Sequence, residues 1–341
     1  MLRKHHHRGK SQLSQPTQCL LTTISIFLYL CLSYLIFTDC FFGITFSDLK
    51  YRLGLSDFSL TAYNSPFSIH FIDVGHGDSI LVRCGENTAL IDTGKASLGN
   101  ATRKYLQRCE VKRINLLIVT HTDSDHIGDF SSIADYFPID NVFLSQYNIR
   151  SSSEQTETER MMYAKIKEHH IKVIETGINN YSLGDVVFQI LSPGRDYQNK
   201  NDNSLVVRIL YKNTSFLLMA DAGQGAENDL INSGKTITSD VLKVSHHGSK
   251  TATSQAFINK VAPKTAIVSV GNEEKSLPDS AVMQRLKRSV DTVLTTLEDG
   301  NIIISSDGTQ LQTFTDPKSK VASFQPKGTD IGKQSASIPR T

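Results

Sequence analysis

The sequence contains little cysteine, and no two cysteines are spaced as a metal-binding or redox pair. The five cysteines stand at positions 19, 31, 40, 84 and 109. Without a C-x-x-C pair, neither a zinc knuckle nor a disulfide framework is predicted. Two interpretations of Cys84 and Cys109 stay open: a disulfide formed outside the cell, or two buried thiols.

A strong charge of either sign is also absent. The chain has 36 basic and 34 acidic residues, for a formal net charge of +2. This balance indicates neither disorder nor a strong field for nucleic acid. The pair Gly223-x-Gly225 lacks the third glycine of a dinucleotide-binding fingerprint. With 341 residues, of which 39% are hydrophobic, the chain can form one large domain or two small ones.

Residues 19–37 form an uncharged apolar run that is nearly long enough to cross a bilayer. Four basic residues precede it: Arg3, Lys4, Arg8 and Lys10. This arrangement is typical of a signal peptide or an uncleaved signal anchor, with the N terminus in the cytoplasm. Because no small-x-small cleavage site follows the run, we expect one retained transmembrane helix. Residues 1–18 would then be cytoplasmic, 38–65 a connector, and the remainder an extracytoplasmic part attached to the cell membrane.

A patterned region extends over residues 66–315. Short β-rich runs alternate there with helical patterns, including helices near 98–109, 127–136 and 154–169. Two β-rich halves, each with its own helices, fit two packed sheets with helices outside. Residues 316–341 lack periodicity, so we predict a disordered tail.

One segment after a predicted strand concentrates side chains that bind metals. The apolar run Asn115-Leu-Leu-Ile-Val119 leads into Thr120-His-Thr-Asp-Ser-Asp-His-Ile-Gly-Asp129. Residues two apart on an extended strand end share a face, so His121 and Asp123 can point into the same space. Helix capping would explain one acidic residue at this position, but not the whole group.

Two further apolar strands end in possible ligands. The run Ser215-Phe-Leu-Leu-Met-Ala220 is followed by Asp221, and Val241-Leu-Lys-Val244 by Ser245-His-His-Gly-Ser249. Either feature alone would be an ordinary turn or surface element. Three strand ends of this kind in one chain predict a metal centre.

These motifs resemble the metallo-β-lactamase superfamily, whose H-x-[HD]-x-D-H signature is matched by His121-x-Asp123-x-Asp125-His126. Four further segments are similar to the hydrolase domain of ComEC-type competence proteins: Phe71-Ile-Asp-Val-Gly-His-Gly-Asp-Ser79, Asn201-Asp-Asn-Ser-Leu-Val206, Met219-Ala-Asp221 and Leu242-Lys-Val-Ser-His-His-Gly-Ser249. The resemblance covers roughly Pro66 to Asp307. It implies an α/β fold of the metallo-β-lactamase type, an αββα sandwich with a dinuclear site at the sheet edges.

The resemblance also implies a set of ligands for two divalent cations, Zn or Mn. His121 and Asp123 would hold one cation, Asp125 and His126 would hold the other together with one histidine of the 246–247 pair, and Asp221 would bridge the two. We prefer His246 as the ligand, because it directly follows the strand, and assign His247 to the leaving group or the substrate. Asp125 and His247 are the predicted catalytic residues. The additional histidine usual in the superfamily has no convincing match, and carboxylate-rich ligation favours manganese beside zinc.

Other residues are predicted to lie around the cations. Backbone N–H groups at Gly248 and Ser249, with Lys250 nearby, can cradle a phosphate. The remaining candidates for contact with the substrate or support of the ligands are Asp73, Asp78, Asp92 and Asn203. Position 76 departs from the competence proteins, which commonly carry Gln where this sequence has His.

The predicted function is metal-dependent hydrolysis of phosphodiesters, with DNA as one candidate substrate. Two alternatives stay open. One is a cell-envelope phosphoesterase such as a phosphorylcholine esterase, and the other is a binding module without catalysis on the same fold.

Overall fold

The computed structural model describes residues 65–96, 100–148, 153–176 and 180–316, together with Ser25, Phe27 and Tyr29, which are helical. Within these residues, fifteen strands form two sheets. In chain order the strands are β1 (Phe67–Phe71), β2 (Ile80–Cys84), β3 (Asn87–Ile91), β4 (Leu116–Val119), β5 (Asn141–Ser145), β6 (Lys172–Thr176), β7 (Asn180–Leu183), β8 (Val186–Ser192), β9 (Val206–Tyr211), β10 (Thr214–Leu218), β11 (Val241–Lys243), β12 (Thr265–Val268), β13 (Thr292–Thr295), β14 (Asn301–Ser306) and β15 (Leu311–Asp316).

Each sheet is part antiparallel and part parallel. The first has the strand order β15-β14-β1-β2-β3-β4-β5-β6 and is parallel from β3 to β6. The second has the order β13-β12-β11-β10-β9-β8-β7 and is parallel from β10 to β13. Leu218 and Lys243 are register partners, so the ends of β10 and β11 lie side by side.

The two sheets pack face to face around an aromatic contact. Phe67 of β1 stacks on Tyr211 of β9 with ring centroids 4.7 Å apart, and its centroid lies 5.4 Å from that of Phe216 on β10. All three rings are buried. The opposite face of β1 is buried too, since Nδ1 of His70 lies 2.9 Å from the hydroxyl of Tyr105. A strand covered on both faces belongs to the middle layers of a sandwich.

Helices form the two outer layers. Over the first sheet lie α1 (Ala101–Arg108), α2 (Ser124–Ile127), α3 (Phe130–Tyr136) and α4 (Glu157–Glu168), whose apolar residues share one buried cluster with β2 to β5. Over the second sheet lie α5 (Gln224–Asn232), α6 (Gln255–Val261), α7 (Ser280–Ser289) and α8 (Thr296–Asp299). The predicted αββα sandwich is therefore confirmed.

Helix α4 begins at a capping box and is tied to the loop after β4. The Thr156 hydroxyl accepts from the backbone N–H of Glu159 at 3.2 Å, and the Glu159 carboxylate accepts from the backbone N–H of Thr156 at 2.6 Å. Met162 and Ile166, four residues apart, are the buried apolar positions of this helix. The Thr122 hydroxyl donates to Glu159 at 2.5 Å, which anchors the loop carrying the histidine motif.

The helix predicted over 127–136 is interrupted. Helix α2 ends at Ile127 and α3 begins at Phe130. The carbonyl of His126 accepts from the backbone N–H of Thr93 at 2.7 Å, so it is not available to continue the helix. The motif is thus bound to the loop after β3 before the longer helix starts.

Two edge strands, β7 and β15, were not predicted. Both are short, and their side chains are exposed or half-buried, so their sequences lack the apolar pattern of an inner strand. Asp316, which the sequence assigned to the tail, is the last residue of β15. Its carboxylate pairs with Arg108 and accepts from Asn301 Nδ2 at 3.1 Å.

Cys84 and Cys109 are free thiols in this structure. Burial raises the pKa of Cys109 to about 12, so this thiol stays protonated and packs as an apolar group. Of the two interpretations left open, the structure has the buried thiols, although Cys84 is only half-buried.

Among the described residues, no helix combines the length and the apolar character needed to span a bilayer. Apart from the three helical positions and residue 65, the predicted segments 1–18, 19–37 and 38–65 lie outside the described residues, as does the tail beyond Asp316.

The contact between the sheets gives a first prediction. Replacing Phe67 with alanine removes a buried ring that contacts both Tyr211 and Phe216, and we expect it to lower the free energy of unfolding by about 3–5 kcal/mol. Urea-induced unfolding measures this quantity. Met161→Ala, at a position 49% exposed on α4, is the control and should change it by less than about 0.5 kcal/mol. Equal stability of the two variants would contradict the packing described above.

Candidate metal centre

Three strand ends deliver the candidate ligands to one place. The loop after β4 carries His121, Asp123, Asp125 and His126, the turn after β10 carries Asp221, and the turn after β11 carries the 246–247 pair. The backbone N–H of Leu205 donates to the carbonyl of Thr120 at 2.9 Å and joins the two sheets at this edge. The predicted convergence of segments far apart in the chain is present.

The tightest cluster, here named the inner group, consists of Asp125, His126, Asp221 and His247. Their ligand atoms all lie within 4.8 Å of one another. Oδ1 of Asp221 is 3.4 Å from Nε2 of both His126 and His247. Oδ2 of Asp125 is 3.5 Å from Nε2 of His247 and 3.8 Å from Nε2 of His126. One oxygen of each carboxylate and one nitrogen of each ring therefore face a common centre.

A second cluster, here named the outer group, surrounds the other oxygen of Asp221. Nε2 of His121 lies 3.8 Å from Oδ2 of Asp221 and 3.8 Å from Oδ2 of Asp123. Nε2 of His246 lies 3.6 Å from the same Oδ2 of Asp221. The two histidines of the pair are thus divided: His247 belongs to the inner group, whereas the sequence-based preference put His246 there.

Hydrogen bonds to Nδ1, on the side of each ring away from the inner group, determine which nitrogen can bind a cation. Nδ1 of His247 donates to the carbonyl of Ser269 at 2.9 Å, and a carbonyl can only accept. Nδ1 of His126 lies 2.8 Å from a carboxylate oxygen of Asp92. Asp92 also accepts from the backbone N–H and the hydroxyl of Thr120, at 2.8 and 2.6 Å. In both rings Nδ1 therefore carries a proton, and Nε2, the nitrogen that would bind a cation, points into the inner group.

His121 is oriented in the same way. Its Nδ1 lies 3.1 Å from the hydroxyl of Thr120, whose proton is already donated to Asp92. The hydroxyl oxygen therefore accepts from Nδ1, and Nε2 of His121 keeps its lone pair. Asp92, predicted from sequence to orient the ligands, lies next to His126 and is linked to His121 through the hydroxyl of Thr120.

The free atoms suit a cation. Nε2 of His121, His126 and His247 and Oδ1 of Asp221 are buried without a hydrogen-bond partner. Buried polar atoms are seldom left unpaired, and here several lone pairs converge instead of pairing with donors. Imidazole nitrogens and carboxylate oxygens, without a thiolate, form a donor set that accepts either zinc or manganese. The residues present therefore fit a pair of divalent cations.

Charge in the inner group is set by burial and by the close neighbours. Burial alone would raise the pKa of Asp221, but His247 and His126 lower this pKa well below its ordinary value. Burial likewise opposes ionisation of Asp125, while the neighbouring His247 and His126 lower its pKa. Both carboxylates are therefore anionic over the whole physiological range of pH.

The pKa values of His126 and His121 are shifted in opposite directions. Burial would lower the pKa of His126, but Asp221 and Asp92 raise it well above its ordinary value. Burial lowers the pKa of His121, and the neighbouring His126 lowers it further. Without a cation, the positive charge is thus placed on His126, between two carboxylates.

The backbone at the centre is strained. Asp92, Ala220, His246 and His247 have left-handed φ angles of 56°, 47°, 45° and 52°. Such angles cost of order 1–3 kcal/mol at residues other than glycine, and they concentrate at functional sites. The carbonyl of Ala220 accepts from the backbone N–H of His246 at 2.8 Å, which holds the histidine turn against the turn of Asp221.

Asp78 lies behind the inner group and pairs with a fully buried lysine. Its carboxylate contacts Lys243 of β11, and its Oδ1 is 3.9 Å from Nδ1 of His247. Burial would raise the pKa of Asp78, but Lys243 and then His247 lower it. Sequence reasoning missed Lys243, although a lysine inside the apolar run Val241-Leu-Lys-Val244 was a signal.

The other predicted residues lie outside both groups. Asp73 Oδ1 accepts from the backbone N–H of Gly75 at 3.1 Å. Asn203 accepts from the backbone N–H of Tyr197 at 2.8 Å and stabilises a loop. Ser249 and the exposed Lys250 follow the histidine pair directly, and the Ser249 N–H, predicted to hold a phosphate, donates to the carbonyl of His246 at 2.8 Å.

His76 is a site residue that the list of predicted ligands did not include. Its Nε2 lies 3.4 Å from Oδ2 of Asp125, and its ring centroid is 4.4 Å from that of His247. Its backbone N–H donates to Glu273 at 3.2 Å. The departure from the competence-protein motif at this position was the available signal.

The chain is similar to several known proteins. Residues 72–272 match the family model of the metallo-β-lactamase superfamily. The chain is 31% identical over 259 residues to ComE operon protein 3 of Bacillus subtilis, covering 70% of this chain and 33% of that protein. It is 30% identical over 246 residues to Recombination protein 2 of Haemophilus influenzae, covering 70% and 29%. The chain thus spans about a third of the length of these relatives.

Among solved structures, the metallo-β-lactamase fold protein YhfI from Bacillus subtilis matches 73% of this chain and 100% of its own, with a TM-score of 0.46 and 11% identity. A diphosphatase from the PhnP family matches 66% of this chain and 94% of its own, with a TM-score of 0.43 and 13% identity. The family membership rests on the sequence matches, which confirm the resemblance drawn from the motifs. This chain belongs to the metallo-β-lactamase superfamily and is related to competence proteins of the ComEC type.

Proposed function

We propose that the chain is a metal-dependent hydrolase of phosphodiesters with two divalent cations. One observation carries the proposal: Asp221 presents each carboxylate oxygen to a different cluster of imidazole nitrogens. The inner group would hold one cation through Asp125, His126, His247 and Asp221. The outer group would hold the other through His121, Asp123 and the second oxygen of Asp221.

The chain's own residues prepare this chemistry. Two cations bound there would activate a water molecule and neutralise the charge of a phosphodiester during in-line displacement. Asp92 and the Ser269 carbonyl hold His126 and His247 in the ligand tautomer. Asp125 is the partly exposed member of the inner group, with 18% of its side chain accessible, so it borders the space open to a substrate.

DNA is the substrate we favour, because the relatives include a protein named Competence protein ComA and a protein named Recombination protein 2. We assign a phosphate to the exposed Lys250 and to the side chain of Ser249, because the backbone N–H of Ser249 is already bonded within the turn. We further propose that residues 19–37 anchor the enzyme in the cell membrane with the catalytic domain outside, since this run has the length and the flanking charge of a signal anchor.

The ligand assignment predicts the loss of activity in Asp125→Ala. We expect hydrolysis of bis-p-nitrophenyl phosphate with added Mn²⁺ or Zn²⁺ to fall by more than about 100-fold, because removing a direct ligand should exceed the roughly 10–100-fold effect of an outer partner. The matched control is Asp135→Ala, which removes a carboxylate from an exposed cluster with Glu168 and His169. Full activity of Asp125→Ala would disprove the proposed centre.

The salt dependence of hydrolysis distinguishes a DNA substrate from a substrate with a small head group. If DNA is the substrate, kcat/KM for single-stranded DNA should fall at least about tenfold between roughly 50 and 200 mM salt, as expected for about three or more phosphate contacts. Hydrolysis of p-nitrophenyl phosphorylcholine at the same concentrations provides the comparison. Efficient hydrolysis of the choline ester, with no cleavage of DNA at either concentration, would favour the envelope phosphoesterase.

Metal affinity should rise with pH. Asp221 and Asp125 have lowered pKa values and stay ionised, whereas the pKa of His126 is raised, so this ring keeps a proton that a cation must displace. Below the pKa of His126 the affinity should therefore fall by about tenfold for each pH unit. Calorimetric titration of Mn²⁺ between about pH 6 and pH 8 measures the slope and the proton release. An affinity independent of pH would contradict this charge assignment.

A further inference from the structure

The outer group is short of one donor if only the assigned ligands are counted. The inner group has two imidazoles and two carboxylates, while the outer group has His121, Asp123 and one oxygen of Asp221. The sequence offers no match for the additional superfamily histidine. His169, at the end of α4, is not a substitute, because its Nε2 lies 2.9 Å from Asp135 of α3 in an exposed cluster.

His246 lies where the missing donor is needed. Its Nε2 is 3.6 Å from Oδ2 of Asp221, the oxygen that also faces Nε2 of His121. Nδ2 of Asn201 lies 3.3 Å from Nε2 of His246 and 3.5 Å from its Nδ1, so an amide donor is close to the nitrogen that a cation would use. This contact is compatible with an unprotonated Nε2, the form that binds a metal.

The backbone explains how adjacent histidines reach different groups. His246, His247 and Gly248 have consecutive left-handed φ angles of 45°, 52° and 79°. The rings of the pair are separated by 6.2 Å between centroids and inclined at 73°. The turn therefore directs His247 toward Oδ1 of Asp221 and His246 toward Oδ2.

We infer that His246 is the fourth ligand of the outer cation, so that one histidine turn serves both cations. This inference rests on the proposed function, because it needs a dinuclear centre. Two outer ligands, Asp123 and His246, are 49% and 29% exposed, whereas Asp125, the most exposed inner ligand, is 18% exposed. Competition from water and from Asn201 makes the outer site the weaker one, and the cations bind in sequence.

The test is calorimetric titration of the metal-free chain with Mn²⁺, repeated with Co²⁺ and followed by visible absorption. The wild-type chain should show a tight and a weak binding event. His246→Ala should keep the tight event and weaken the second by at least roughly 10–100-fold. His247→Ala should weaken the tight event instead. His169→Ala, which removes an exposed imidazole elsewhere, is the control and should leave both events unchanged.

A second variant tests whether alanine at position 246 acts by disrupting the backbone of the turn. Asparagine tolerates left-handed φ better than alanine, so His246→Asn removes the ring with less strain. Its titration should match that of His246→Ala, with unchanged thermal unfolding of the metal-free protein. Two wild-type events in both His246 variants would overturn the inference, as would loss of the tight event. A wild-type chain that binds no Mn²⁺ would instead overturn the proposed dinuclear centre.

Discussion

The centre depends on the contacts between the buried carboxylate of Asp221 and the four histidines around it. Asp221 is 4% exposed and has His126 and His247 on one oxygen and His121 and His246 on the other. An isolated carboxylate in such a place would be strongly destabilising, because burial removes its hydration. The imidazoles offset that cost by electrostatic attraction, and cations bound between them and the carboxylate would offset it further. The strained turns at Ala220 and His246 bring these charges together, so the backbone strain has its compensation at this carboxylate.

The centre also requires the two sheets to pack correctly. His121, Asp125 and His126 come from the first sheet, while Asp221 and the histidine pair come from the second. The buried pair of Lys243 and Asp78 crosses the same boundary, and breaking such a pair by removing one partner typically costs about 3–5 kcal/mol. Since the backbone N–H of Asp78 also donates to the carbonyl of Asp125 at 3.3 Å, packing of the sheets and placement of Asp125 are coupled.

The sequence predicted the features that local patterns encode. Apolar runs ending in His121, Asp221 and the histidine pair revealed both the strands and the edge at which their ends meet. The edge strand β15 was not predicted, because its half-exposed residues have no apolar alternation. The sequence also did not predict that His246 and His247 belong to different groups. That arrangement depends on left-handed φ angles at two residues other than glycine, which the sequence does not favour. His76 and Lys243 each had a sequence signal, but their partners, Asp125 and Asp78, are decided by the packing of segments that are distant in the chain.

The turn at 245–249 links the ligands of the centre to its surroundings. The Ser245 hydroxyl contacts the carbonyl of Ala222, and the His246 N–H donates to Ala220, so both bonds fix the turn to the segment of Asp221. On its other side, the carbonyl of Gly248 accepts from Asp279 at 2.9 Å, and a side chain at Gly248 would meet Pro278 at 2.7 Å. A glycine is therefore required sterically as well as for its φ of 79°. On the proposed assignment, this clamped turn would supply one histidine ligand to each cation, because one residue of it faces each oxygen of Asp221.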